Sequence, residues 1–229
     1  MSVFAIADLH LSLGCDKPMD IFKGWDNYVD RLEENWNRVV SDNDTVIISG
    51  DISWAMSLTD TKKDFTFIND NLKGNKIILK GNHDYWWNTV SKMNAFLSEN
   101  KFNRIKILNN NAFLVEGISV VGTRGWINDD GSECDAKVLN REAGRFRMSI
   151  AEGIKLGGEL IAFIHYPPVY NGEKNDYILS VIKEYGIKKC YYGHIHGPGH
   201  RYAFLGEYEG TDYKMISADY LGFMPIMIK

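Results

Sequence analysis

The chain has six histidines. Five of them, His10, His83, His165, His194 and His196, stand at the end of an apolar run or in the loop just past one, together with Asp8, Asp51, Asn82 and Asp84. Open α/β sheets gather their ligand sites at the carboxyl ends of strands, so these side chains can meet although they are far apart in sequence. In I-A-D-L-H, Asp8 and His10 are two apart; in a regular strand they share a face, and at a strand end both can turn toward one ion. In I-S-G-D, Gly50 lets the backbone approach closely before Asp51. K-G-N-H-D-Y-W-W lines up an amide, an imidazole and a carboxylate. F-I-H-Y-P-P delivers His165 just before a stiff proline turn, and Y-Y-G-H-I-H-G sets His194 and His196 between glycines.

Taken singly, each piece has an ordinary explanation: G-D is a common turn, and a lone His165 reads as a satisfied core histidine. Together they specify a metal site. The donors are imidazole, carboxylate and one amide, with no thiolate, which suits Mn²⁺, Fe or Zn²⁺. Mg²⁺ prefers oxygen ligands and its own waters. Seven ligands (Asp8, His10, Asp51, Asn82, His165, His194, His196) are too many for one ion and fit two. A carboxylate is the natural bridge between ions, and Asp51, central in the set, is the candidate.

The elements that must position these residues follow from hydrophobic period. Strands are expected at 3–8, 45–51 and 76–84 with its following turn. Helices are expected at 27–41, where Val29, Leu32, Trp36 and Val39 recur at helical spacing, and at 60–71 and 87–99. That opening predicts a mostly parallel sheet with helices outside. Three closely spaced strands follow, at 105–108, 112–117 and 119–125, with antiparallel or mixed pairing. A helix over 135–155, a strand over 159–168, a helix over 174–185 and a strand running into a loop over 188–197 come next. The remainder reads as a meander of 202–208, 213–219 and 223–229, with Gly210 and Thr211 in the first turn. Pro225 makes the last run an edge strand or starts it after the proline. The whole is an α/β fold, a four-layer α/β/β/α sandwich of two mixed β-sheets flanked by helices, formed by residues 1–229 as a single domain.

The order D-x-H, G-D, G-N-H-D, a late histidine and G-H-x-H resembles the calcineurin-like metallophosphoesterase superfamily. The resemblance implies that Asp8, His10, Asp51 and His196 hold one ion, and that Asp51, Asn82, His165 and His194 hold the other. It gives His83 to the substrate, either as an electrostatic donor to the phosphate or as general acid, with Asp84 behind it as orienting partner. Asn82 also borders the substrate. The implied reaction is hydrolysis of a phosphate ester by metal-activated hydroxide, on a small phosphomonoester, phosphodiester or nucleotide.

Other residues leave alternatives open. Arg124 either grips a phosphate in fork geometry or pairs with a nearby acid. Trp54, Tyr85, Trp86 and Trp87 either stack on a base or form core beneath the loops. Arg141, Arg145 and Arg147 give one helix a basic face, and His200 is a loop histidine. A net charge of -4 argues against long nucleic acid, which demands a basic excess. A nuclease acting on short or single-stranded nucleic acid stays open, and a protein phosphatase or a noncatalytic module is less consistent with a full ligand set. No run reaches the roughly 18 apolar residues of a membrane span, and the N-terminus lacks the basic and apolar regions of a signal peptide. Cys15, Cys134 and Cys190 read as reduced thiols, so a cytoplasmic location is expected. Oligomeric state is not legible.

Overall fold

The computed structural model describes residues 1–126 and 136–229. The first half alternates strand and helix: β1 (Val3–Ile6), α1 (Tyr28–Val39), β2 (Thr45–Ser49), α2 (Lys62–Thr66) running on as a π-helical turn (Phe67–Asn71), β3 (Asn75–Leu79), α3 (Val90–Glu99) and β4 (Ile105–Ile107). The second half holds β5 (Phe113–Val115), β6 (Ile118–Thr123), α4 (Ala136–Leu156), β7 (Glu159–Ile164), a small hairpin of β8 (Val169–Tyr170) and β9 (Glu173–Lys174), α5 (Asp176–Glu184) and β10 (Lys189–Tyr192). A 3-10 turn (Gly197–Tyr202), β11 (Gly206–Tyr208), β12 (Thr211–Met215) and β13 (Ile226–Met227) complete it.

Two mixed sheets result. The first has the order β13-β1-β2-β3-β4, and the second β11-β12-β10-β7-β6-β5. Alternation along the strands sorts the core into three layers, because successive side chains point to opposite faces. Val3, Ala5, Ile47, Ile77, Val120, Ile161, Phe163 and Tyr191 fill the space between the sheets. Their neighbours Phe4, Ile6, Val46, Ile48 and Ile78 face outward, under Leu32 and Trp36 of α1, Phe65 of α2 and Phe96 of α3. On the other side Val121, Ala162, Ile164 and Tyr192 lie under Phe146 and Ile150 of α4 and Ile178 and Ile182 of α5. Full burial of side chains this large contributes roughly 2–3 kcal/mol each. The four-layer α/β/β/α sandwich is therefore the observed fold.

The runs near 105–125 divide between the sheets: β4 pairs parallel with β3 in the first, while β5 and β6 form an antiparallel hairpin in the second, within the expected antiparallel or mixed pairing. Two local expectations need correction. The C-terminal runs are not a meander. β11 and β12 complete the second sheet, but β13 starts just after Pro225 and pairs antiparallel with β1. Period alone assigns a strand's type, not its partner. The β11–β12 turn falls on Glu209 and Gly210, both at positive φ, and Thr211 already belongs to β12.

The sheets meet along one seam. Ala7, just past β1, forms a parallel bridge with Ser217 beyond β12; its N–H donates to the Ile216 carbonyl at 2.8 Å and its carbonyl accepts from Ala218 at 2.9 Å. Asp8 is the next residue. Among the described residues no helix is long and apolar enough to cross a membrane. Cys15 and Cys190 are free thiols. Cys134, the start of the 135–155 helix at Asp135, and Ile127, Asn128 and Asp129 of the T-R-G-W-I-N-D run lie outside the described residues.

Candidate metal centre

The strands end before the ligands begin, and the chain then bends sharply. Asp8, His10, Asp51 and His194 all adopt the left-handed backbone region, with φ of 61, 46, 49 and 75°. For residues with a Cβ this costs about 1–2 kcal/mol each, and such strain persists where surrounding structure fixes it. Hydrogen bonds do so here: the Asp8 N–H donates to Gly50 O and the His10 N–H to Asp51 O, both at 2.9 Å. Two glycines complete the approach. A Cβ on Gly193 would lie 2.7 Å from Asp8 Oδ2, and one on Gly81 would collide with the Asp51 carboxylate.

The turns bring the seven candidates to one place, six of them in two triads. Ligand atoms of Asp8, His10 and His196 lie within 4.8 Å of one another, as do those of Asp51, His165 and His194. His10 Nε2 faces His196 Nε2 at 3.2 Å. Asn82 Oδ1 lies 2.6 Å from His165 Nε2 and 2.9 Å from His194 Nδ1, joining the second triad. Asp51 Oδ2 sits between the groups, 3.7 Å from His10 Nε2 and 3.5 Å from His165 Nε2.

The carboxylates are disposed as cation ligands. Asp8 Oδ2 accepts the His194 N–H and Asp51 Oδ1 accepts the His83 N–H, each at 2.8 Å. Among the described residues, the other oxygens, Asp8 Oδ1 and Asp51 Oδ2, are buried with no hydrogen-bond partner. A buried carboxylate oxygen without a donor is costly unless a cation faces it. In the protein's own field burial pushes the Asp8 carboxyl up to about 8 and raises that of Asp51. Burial, then the neighbouring histidines, holds the His10 and His165 imidazoles well below their usual range. They are thus kept neutral, as metal ligands must be.

Supporting contacts aim the rings. The Ser49 carbonyl accepts from His165 Nδ1 at 3.1 Å, which leaves Nε2 toward Asp51 and Asn82. His10 is held by packing, stacked on Trp54 at 4.9 Å and edge-on to Trp25 at 5.7 Å. Asp219 fixes His196, accepting from its Nδ1 and from the Gly197 N–H, both at 2.9 Å. The sequence reading missed Asp219, taking it as the tail of a strand. The available signal was an acid just past a strand that ends on the same side as Y-Y-G-H-I-H-G.

His83 belongs to neither triad. Its ring lies 4.4 Å from that of Trp54 and 5.7 Å from that of His10. The Asp84 carboxylate accepts the N–H groups of Gly81, Ile52 and Ser53 at 2.7, 2.8 and 3.3 Å, and the Trp86 indole N–H at 3.1 Å. It ties the loop after β3 to the loop after β2. Burial, then Asp51, pushes this carboxyl up to about 7. Trp86 is core, whereas Tyr85 is exposed.

Arg124 has an acid and a ring beside it. Its guanidinium lies 3.7 Å from Glu142 and 4.8 Å over the Trp126 ring. It lines a small cavity with Lys80, Asn110 and Arg145, while its carbonyl accepts the His165 and Tyr166 N–H groups. Arg147 pairs with Glu184 on the helix surface, and His200 Nε2 lies 3.2 Å from Asp219. A separate cavity of about 370 Å³ opens beside the triads, bordered by His10, His83 and His196 and walled by Phe22, Trp25, Trp54 and Pro198.

A family profile described as Calcineurin-like phosphoesterase matches residues 1–198. Among solved structures, the chain is similar to the protein of unknown function AQ665 from Aquifex aeolicus, at 15% identity over 99% of this chain and 95% of that one, with a TM-score of 0.52. It is also similar to TT1561 of Thermus thermophilus, at 12% identity over 85% and 81% of the two chains, with a TM-score of 0.56. At these identities the likeness shows a shared fold. A search of curated proteins gives no significant match.

Proposed function

Because the chain belongs to the calcineurin-like phosphoesterase family, we propose that it hydrolyses a phosphate ester at a pair of divalent metal ions. The observation that carries this reading is Asp51 Oδ2, buried without a hydrogen-bond donor and within 3.7 Å of a histidine nitrogen from each triad. Asp8, His10, Asp51 and His196 would hold one ion. Asp51, Asn82, His165 and His194 would hold the other. Mn²⁺ is the metal we assign, with Fe or Zn²⁺ compatible with the same donors. When bound, such a pair supplies Lewis acidity toward phosphoryl oxygens and a hydroxide nucleophile near neutral pH.

The chain's own residues do the rest. His83, anchored through its N–H to Asp51 and bordering the open cavity, acts on the substrate. It either donates to charge developing on a phosphoryl oxygen or protonates the leaving oxygen. Asp84 positions it by fixing the loop backbone on both sides. Asn82 orients the substrate phosphate as well as serving the second set. Lys80 just past β3, Arg124 just past β6 and Arg145 of α4, which line one small cavity, draw an anionic substrate by their field.

The substrate is a small phosphomonoester, phosphodiester or nucleotide. A second reading, a nuclease acting on short or single-stranded nucleic acid, draws on the aromatic rings of Trp54 and Tyr85 next to His83, since bases stack on such rings. The test is a panel of phosphate monoesters, diesters, dinucleotides and short oligonucleotides with Mn²⁺ supplied. Hydrolysis of small esters supports the first reading, and hydrolysis confined to oligonucleotides the second. Failure to cleave any member with Mn²⁺, Fe or Zn²⁺ loaded would refute both.

A further inference from the structure

We propose that the cavity beside the triads receives a planar aromatic group carried by the substrate, so that the ester cut bears an aromatic substituent next to its phosphate. The inference rests on the phosphoesterase reading and adds a substrate class to it. The cavity borders His10, His83 and His196, so a phosphate at the metal centre would place its substituent there. Its volume of about 370 Å³ falls within the range of small-molecule sites.

The wall selects the substituent. Phe22, Met19 and Pro198 offer no hydrogen-bond donor, and among the described residues Lys23 is the one lysine on it. A hydroxyl-rich group would leave its water behind for few replacements, an unfavourable exchange. An apolar group gains instead. Phe22 is 53% exposed, and covering it removes apolar area from water.

Aromatic geometry favours a ring over an alkyl chain. Trp25 is locked edge-on to both His10 and His196, each at 5.7 Å, and Trp54 is stacked on His10. Trp25 is buried and braces these histidines, while the partly exposed Trp54 ring can meet a bound ring edge-to-face or offset. Lys23 can add a cation–π contact to a ring and none to an alkyl chain. The residues come from three loops, in I-F-K-G-W, I-S-W and H-G-P, and Phe22, Trp25, Trp54 and Pro198 are not among the metal ligands.

Calorimetric titration of the Mn²⁺-loaded protein with methylphosphonate, hexylphosphonate and 2-(1-naphthyl)ethylphosphonate tests this, since phosphonates bind without being cleaved. The naphthyl compound should bind at least about 30-fold tighter than the methyl and about 5-fold tighter than the hexyl compound. Phe22→Ala should narrow the naphthyl-to-methyl ratio about 5-fold, and Phe22→Trp should preserve it. Equal affinities, or tighter binding of the hexyl compound, would overturn the proposal. Hydrolysis of the matching methyl and naphthylethyl phosphates, whose alcohols are both aliphatic, is followed in parallel. A retained naphthyl preference with neither ester cleaved, and no member of the wider ester panel cleaved, would support the aromatic pocket and defeat the phosphoesterase reading. Cleavage of both with equal phosphonate affinities would do the reverse.

Discussion

His196 Nδ1 donates a hydrogen bond to Asp219 Oδ1, 2.9 Å away and 23 residues later in the chain. The other Asp219 oxygen accepts the Gly197 N–H. Against the effect of burial, this pairing raises the His196 imidazole above its ordinary value and lowers the Asp219 carboxyl below its own. The bond fixes the tautomer that leaves Nε2 facing His10. A carboxylate behind a ligating histidine typically contributes 10–100-fold in metal affinity. Asp219→Asn should therefore weaken one of two Mn²⁺ binding steps by about 10–100-fold, seen by titration calorimetry, with an unchanged circular dichroism spectrum. Two unaltered binding steps would remove Asp219 from the site.

His83 touches the metal centre through its backbone, while its ring borders the cavity. His83→Ala should lower kcat about 10²–10³-fold and leave two metal ions per chain. Dependence on leaving-group acidity separates its two possible roles. If His83 is the general acid, the loss grows as the leaving alcohol becomes less acidic. A loss that is the same for every alcohol assigns it to charge stabilisation. Metal loss in step with activity would make it a ligand.

Asp84 holds four N–H donors from two loops in a fully buried position. Removing the carboxylate leaves those donors unmatched, each at a cost of about 1 kcal/mol or more. Asp84→Ala should lower unfolding free energy by about 3 kcal/mol in urea denaturation and reduce turnover by loosening His83. A stable variant of normal activity would contradict the loop-fixing role.

Lys76 is fully buried in β3, with its ammonium donating to the Leu72 carbonyl. Burial, then Arg104, lowers its side chain from 10.5 to about 7. Below pH 7 it is charged in both states, and the fold bears the whole penalty. Between about 7 and 10.5 the unfolded chain holds the proton and the fold does not, so stability rises with pH over that window. Lys76→Met should raise stability at pH 6 by about 1–3 kcal/mol, a gain that shrinks by pH 9.5. Urea unfolding at the two values checks it; an equal gain at both would place the effect outside titration.

The sequence carried the site better than its supports. Asp8, His10, Asp51, His165, His194 and His196 could be picked out because imidazoles and carboxylates at strand ends are unusual, and the structure gathers them in two triads. Val3 to Ile6 could be read as a buried strand, but which of its side chains face the other sheet and which face the helices was not legible, since the run is apolar on both faces. Nor was Asp219, since its role depends on the Ala7–Ser217 bridge that brings the ends of β1 and β12 together. For the same reason β13 was assigned to the wrong neighbours: two residues of strand carry no record of the edge they join. Arg124 has the right chemistry for a phosphate, but the buried Glu142 draws its guanidinium, a contact that no local motif encodes.

The central claim is that two ions share Asp51, and elemental analysis of metal bound per chain tests it most directly. Wild-type protein equilibrated with Mn²⁺ and passed through a desalting column should retain two ions, and Asp51→Asn should lose at least one along with turnover. One ion or none in the wild type, or two in Asp51→Asn with full activity, would contradict the account.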